Sequence, residues 1–439
     1  MKTAIPRTRI WLYAALLVVG TGVLVYQQAT LREQRAFILS SSDSPDGKGH
    51  LEILSKAYSI DRLYQSMEGP ASNQPSLKLS PKCSDDEVLF VTGISSQMVD
   101  KDNRSEAPVE LFCHANLTLS STHSSPDKHN AGFEHPTHMD WRLATLVPGS
   151  MSVHLPEGFG VPVKNGTLLD YYTMALNQNP GVASQKVRIK SRIDYTHARD
   201  TRALFRRSVY VHQQYHEVPA AAAPAFVQNS AQKAMQDIMQ SSAMQSSPAH
   251  GAMQDVMQSA THSGAACGQA CDRNQLSKNA SKFVDLSVPL HPGATCCVSN
   301  ASAGGLLPQF GGDNTIHWMV PPGRHSYRTD VTAQMELPYD TTAHLITGHL
   351  HPYGTSMRLV DKQSGKVVFE ITSQNFSDKI GVQHMSEIIS TEGVSIRKGG
   401  QLELVADYEN TTDHLIDAMA IMYLYLAETP EGNRLTAKN

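Results

Sequence analysis

Apolar positions recur with a period of two over much of this chain. Ala343–His351, Ser356–Asp361, Val367–Ile371, Gln401–Tyr408 and Ala418–Leu426 read as strands, because successive strand side chains point to opposite faces. Lys362–Lys366, with Ser364-Gly365, predicts a hairpin turn, and Pro321-Pro322-Gly323 a tight loop. Upstream, Glu87–Thr92, Val109–Leu119 and Val187–Tyr195 are short runs of β-formers separated by turn residues. No long amphipathic helix is evident. The expected fold class is all-β, with two β-sandwich domains.

The N-terminus breaks this pattern. Lys2, Arg7 and Arg9 precede an apolar run over residues 10–26, which is near the short end for a membrane-spanning helix. No clear small-x-small cleavage site follows it, so an uncleaved transmembrane signal anchor is expected, with a cleaved signal peptide as the alternative. Either places the main domains outside the cytoplasm, in a periplasmic, extracellular or lumenal space. The expected division is a cytoplasmic tip and anchor at 1–30, a stalk at 31–80, an N-terminal sandwich at 81–216, an irregular insertion at 217–305 and a C-terminal sandwich at 306–430. Within the stalk, His50–Met67 suggests a short helix and Ser72–Pro81 a loop.

The insertion carries an internal repeat. Ala234–Ser242 reads AMQDIMQSS and Ala252–Ala260 reads AMQDVMQSA. This is either an expanded irregular segment or a methionine-rich collector of Cu(I), since thioethers bind that soft ion.

Composition narrows the function classes. The chain has 439 residues and a formal net charge of −4, so nucleic-acid binding has no electrostatic support. Six cysteines, Cys83, Cys113, Cys267, Cys271, Cys296 and Cys297, suit disulfides in an oxidising compartment, with the pairing left open. Asn-x-Ser/Thr sequons include Asn116, Asn165 and Asn410; they are glycan acceptors only where the host glycosylates exported proteins.

The candidate chemistry lies near the C-terminus. His349-Leu350-His351 puts two imidazoles on one face of a strand. A methionine from a second strand, Met419, would add a thioether, and two nitrogens with one sulfur suit copper. His344 falls on the opposite face by strict alternation and is expected to be structural.

These residues carry a resemblance. Gly348-His349-Leu350-His351-Pro352-Tyr353-Gly354, Tyr408-Glu409-Asn410-Thr411-Thr412 and Asp417-Ala418-Met419-Ala420-Ile421-Met422-Tyr423-Leu424-Tyr425 resemble the second domain of the type II copper, ascorbate-dependent monooxygenases, the family of peptidylglycine α-hydroxylating and dopamine β-monooxygenases. The likeness covers roughly residues 310–428. It implies jelly-roll-like sandwiches, copper held by His349, His351 and Met419, and ascorbate or another reductant. In that family this copper activates dioxygen for C–H hydroxylation, and a first-domain copper delivers an electron.

A weaker likeness covers Arg142–Pro162. The family's first-domain histidines are missing, however, and Tyr172–Gln178 stands where one is expected. The first domain is therefore read as carrying a degenerate copper site. His114, His135, His138, His212 and His216 are the histidines from which a second site would have to be rebuilt. Thr347 stands where the peptide-amidating enzymes carry a carboxylate-binding arginine. The expected function is a membrane-anchored copper protein that hydroxylates a small-molecule substrate. A non-enzymatic copper-binding or copper-handling protein and a metal-free interaction module are the alternatives.

Overall fold

The computed structural model describes residues 33, 35–44, 47–64, 69–80, 82–119, 142–197, 199–214, 314–335, 337 and 339–428. The described chain is nearly all β. Its first group of strands is β1 (Phe37–Asp43), β2 (Lys48–Leu54), β3 (Tyr58–Ile60), β4 (Ala71–Leu77), β5 (Val88–Asp100), β6 (Phe112–Leu119), β7 (Arg142–Leu146), β8 (Ser152–His154), β9 (Phe159–Lys164), β10 (Leu169–Ala175), β11 (Gln185–Thr196), β12 (Arg202–Tyr210) and β13 (Gln213–Gln214). The second is β14 (Asn314–Thr315), β15 (Trp318–Val320), β16 (Gly323–Asp330), β17 (Thr341–Leu350), β18 (Gly354–Asp361), β19 (Val367–Asn375), β20 (Val382–Met385), β21 (Ile388–Ile396), β22 (Leu402–Asn410), β23 (Ile416–Ala418) and β24 (Ala420–Ala427). Among the described residues the only complete α-helix is the short α1 (Thr332–Met335), with Glu33 a single further helical position.

One large sheet runs β1-β2-β11-β5-β9-β12-β24-β17-β21, with β3 on β11 and β8 on β5. A second sheet, β4-β10-β6-β7, supplies Phe112, Leu117, Leu169 and Tyr171 to a core shared with Leu51, Ile94, Ile189 and Ile193 of the large sheet. A third, β16-β22-β18-β19-β20, supplies Met357, Leu359, Ile371 and Leu404 to another core, shared with Ile346, Met422, Leu424 and Leu426.

Strand β12 connects the two regions. It pairs in parallel with β9 at Arg202 and Ala203 and antiparallel with β24 over Leu204–Tyr210. Further contacts cross the junction. Tyr425 donates to the Leu143 carbonyl over 3.1 Å, Met385 N–H to the Gly149 carbonyl over 2.9 Å, and Ile380 N–H to the Asn179 side chain over 2.7 Å. Strand β24 is consequently buried on both faces. Ala420, Met422, Leu424 and Leu426 face one core; Met419, Ile421 and Tyr423 form a separate cluster with Ile316, and Tyr425 joins the first core. That accounts for its nearly unbroken apolar sequence.

Several expectations are corrected. The expected stalk is woven into the sheets: β1, β2, β3 and β4 occupy it, and β2 lies between β1 and β11. His50 sits in β2 rather than in a helix, and Ala71–Leu77 is a strand rather than a loop. Cys83 and Cys113 are free thiols, so neither forms a disulfide with the other. Cys267, Cys271, Cys296 and Cys297 lie outside the described residues, as do the methionine repeat and the apolar run 10–26. Among the described residues no helix is long and apolar enough to cross a membrane. The hairpin at Lys362–Lys366 stands, with Gly365 at φ 68° joining β18 to β19.

Candidate metal centre

The centre forms where β17 ends against β24. His349 pairs with Ile421, and Leu350 with Ala420. One step further, His351 N–H donates to the Met419 carbonyl over 3.2 Å. The His349 and His351 rings lie 5.0 Å apart, as the two-residue strand period requires. Ile421, opposite His349, packs with Met419 and Tyr423. The three residues named from sequence are therefore brought together on one sheet face, with His351 and Met419 buried and His349 partly so.

Gly348 belongs to this geometry. A Cβ there would lie 2.7 Å from Ile371 Cδ1 and 2.8 Å from the Ile421 carbonyl oxygen, and would also meet Met357. Only glycine lets β17 lie this close to its neighbours. Tyr408 anchors the other strand, donating its hydroxyl to the Met419 carbonyl over 2.6 Å. Burial raises the Tyr408 phenol above its ordinary range, so it remains a donor.

Two residues outside the expected ligand set complete the cluster. Strand β15 pairs with β23, Trp318 with Ala418 and Met319 with Asp417, which brings His317 to the site. His317 Nδ1 lies 3.3 Å from Asp417 Oδ1, and His351 Nδ1 lies 2.8 Å from Asp417 Oδ2. The His317 and His351 rings are 5.2 Å apart. One ligand atom from each of His317, His351 and Asp417 falls within 4.8 Å of the others. Asp417 stands inside the sequence motif, two residues before Met419. His317 had only its place beside Trp318 and Val320 to signal it.

The electrostatics follow from burial. Desolvation pushes the Asp417 carboxyl up, but His317 and His351 outweigh it and hold the group below the ordinary carboxylate range. His349 is shifted well below the ordinary imidazole value, first by burial and then by the neighbouring His351, His114 and His317, against a smaller pull from Asp417. It is therefore neutral near pH 7, the form that ligates metals. His349 Nδ1 is buried and has no hydrogen-bond partner among the described residues. Such an atom costs roughly 1–3 kcal/mol unless something binds it.

The remaining histidines divide clearly. His114 of β6 is buried, stacks on Tyr172 at 5.2 Å and lies near enough to influence His349. Its strand partner Met174 belongs to the segment Tyr172–Gln178. His212 lies just before β13, outside any helix or strand, where its N–H donates to Thr329 Oγ1. His216, His135 and His138 lie outside the described residues. His344 is structural: Thr342 and the Ser390 carbonyl engage its two nitrogens, and its ring packs on Phe159. Thr347 Oγ1 lies 3.2 Å from Ser150 Oγ across the junction.

No protein-family model matches the chain, and no curated protein matches it. Among solved structures, peptide-N(4)-(N-acetyl-β-D-glucosaminyl) asparagine amidase is 9% identical and covers 85% of this chain and 96% of its own, at a TM-score of 0.26. The major capsid protein P2 from bacteriophage PM2 is 7% identical, covering 86% and 99%, at 0.22. PNGF-II is 8% identical, covering 92% and 68%, at 0.24. Overlaps this low carry no argument about this chain.

Proposed function

We propose that this chain is an exported copper protein of the ascorbate-dependent monooxygenase type, built on two jelly-roll-like sandwiches, with one mononuclear site at His349, His351 and Met419. The observation that carries the reading is the buried, unpartnered Nδ1 of His349 beside His351, on a face where Met419 packs next to Ile421. Two imidazoles and a thioether form a donor set that suits copper. Asp417 at His351 Nδ1 is the outer carboxylate that fixes a ligating imidazole in place.

Bound copper would supply one-electron redox chemistry and dioxygen activation. The chain's own residues orient the ligands, through Asp417 and the bonds to the Met419 carbonyl, and limit water access by packing Ile316, Ile421 and Tyr423 around them. A small-molecule substrate is preferred to a glycine-extended peptide, since Thr347 offers a hydroxyl, not a cation, at the carboxylate-binding position.

The non-enzymatic copper-handling reading has one observation in its favour. No histidine occupies Tyr172–Gln178, and Met174 stands opposite His114 there, so a second copper for electron delivery lacks its expected ligand.

The test is copper stoichiometry on the full chain loaded with Cu(I), beside a His349→Ala, His351→Ala variant. One tightly bound copper, lost in the variant, supports the site. Equal retention by both refutes it. Oxygen consumption with ascorbate and candidate small substrates then separates the enzyme from the copper carrier.

A further inference from the structure

We propose that His317 is an additional ligand of this centre, so that a bound ion meets three imidazoles and the Met419 thioether, with Asp417 as the carboxylate that positions two of the imidazoles. The inference rests on the metal-binding reading of His349 and His351 and extends it to a residue on a different strand.

The geometry comes first. A metal–nitrogen bond of about 2.0–2.1 Å places an imidazole ring centre roughly 3 Å from the ion, and two rings at a tetrahedral angle roughly 5 Å apart. The His349–His351 spacing of 5.0 Å and the His317–His351 spacing of 5.2 Å both meet that value. His351 is thus the shared neighbour of two rings. Ligand atoms of His317, His351 and Asp417 already lie within 4.8 Å of one another, a group that His349 does not join, so His349 must turn its ring toward them to share the ion.

The surroundings come second. His317 is only 4% exposed. The residue before it, Ile316, packs with Met419, Ile421 and Tyr423. An otherwise apolar cluster thus borders three imidazoles and a carboxylate. Burying such groups is costly unless they are paired or bind a metal. Asp417 Oδ1 is hydrogen-bonded to His317 Nδ1, and Asp417 Oδ2 lies 2.8 Å from His351 Nδ1 without a geometric hydrogen bond of its own. His349 Nδ1 is a further buried atom at the site without a hydrogen-bond partner. A carboxylate holding one imidazole nitrogen while the other ligates is the usual outer arrangement of metal-bound histidines.

The third imidazole changes the chemistry expected of the site. A thioether with two imidazoles favours Cu(I), whereas imidazole nitrogen also suits Cu(II) and Zn(II). A site with three imidazoles should hold copper in both oxidation states, with Zn(II) as a competitor.

The experiment is electron paramagnetic resonance on the Cu(II)-loaded full chain, counting the nitrogens coupled to the metal, for wild type, His317→Ala, His317→Gln and Asp417→Asn. Three nitrogens in wild type falling to two in both His317 variants is the expected result. Asp417→Asn should keep three nitrogens and weaken copper binding by about 10–100-fold. Two nitrogens in wild type, unchanged by either His317 substitution, overturns the role of His317 and leaves the His349–His351–Met419 site standing. Absence of specific copper from the wild type overturns both. Melting temperatures of the apo variants identify any that fails to fold. Because His317→Gln keeps a polar side chain of similar reach, an unfolded His317→Ala alone would not leave the proposal untested.

Discussion

The amide of His351 donates to the carbonyl of Met419 over 3.2 Å, so the same ladder that joins β17 to β24 sets the spacing between an imidazole and a thioether. The placement of the proposed ligands is in this sense a property of strand register. A slip of one residue would turn His349 and His351 to the opposite face, where Met422 and Leu424 pack.

Gly348→Ala should therefore disturb the proposed metal site without removing any of the residues proposed to hold the metal. The added methyl meets Ile371, Met357 and the Ile421 carbonyl oxygen. Overpacking of this kind costs about 1–3 kcal/mol. Denaturant unfolding should show that loss, and copper affinity should fall with it. An unchanged midpoint would mean that β17 and β24 separate more easily than their packing indicates.

Tyr408→Phe removes the hydroxyl that bonds the Met419 carbonyl while keeping the ring in its core. Loss of one buried hydrogen bond of this kind costs about 1 kcal/mol. Cu(I) competition titration should show weaker binding than wild type, with stoichiometry retained. Wild-type affinity would show that the carbonyl bond has no part in holding the thioether.

Glu428 predicts a pH dependence away from the metal centre. Its carboxyl lines a cleft with Arg202, His344 and Glu392, and burial raises it to about 7 from an ordinary 4.5. The folded state therefore holds this proton more tightly than the unfolded state. Its contribution is complete below the ordinary value and is lost as pH climbs through about 7, with an upper size of about 3 kcal/mol. Thermal melts at pH 5 and pH 8 should differ less for Glu428→Gln than for wild type. Equal differences would remove Glu428 as the source.

Two of the sequons should remain unmodified in the folded protein. Asn165 is buried and donates its amide to the Ser80 and Cys83 carbonyls, and Asn410 donates to Val320 and His414. Expression through a glycosylating secretory pathway, followed by peptide mass spectrometry, should find both asparagines bare. A glycan on either would require its turn to open.

The C-terminal strands were legible because their runs of β-formers are bounded by clear turn residues, as at Ser364-Gly365 between β18 and β19. The stalk was misread for a physical reason. Strands β1 and β4 are sheet edges, and an edge strand tolerates the serines of Ser40–Ser42 and the proline at Pro75 that a central strand would exclude. In the centre itself, His349 and His351 announce themselves by a spacing of two. His317 does not, because its neighbours arrive through the long-range pairing of β15 with β23. Only tertiary structure shows that Asp417, already visible beside Met419, faces two histidines from different strands.

The little ladder of β13 and β14 holds Gln213 opposite Thr315 and Gln214 opposite Asn314, and His212 is tied to Thr329 on both its amide and its carbonyl. The long stretch between them thus departs and returns through adjoining points of the fold. Its length is not a dimension of the metal centre. A change in the number of residues between Gln214 and Asn314 would therefore act at a junction closed by this ladder, and the distance from His351 to Met419 is set elsewhere, by the pairing of β17 with β24.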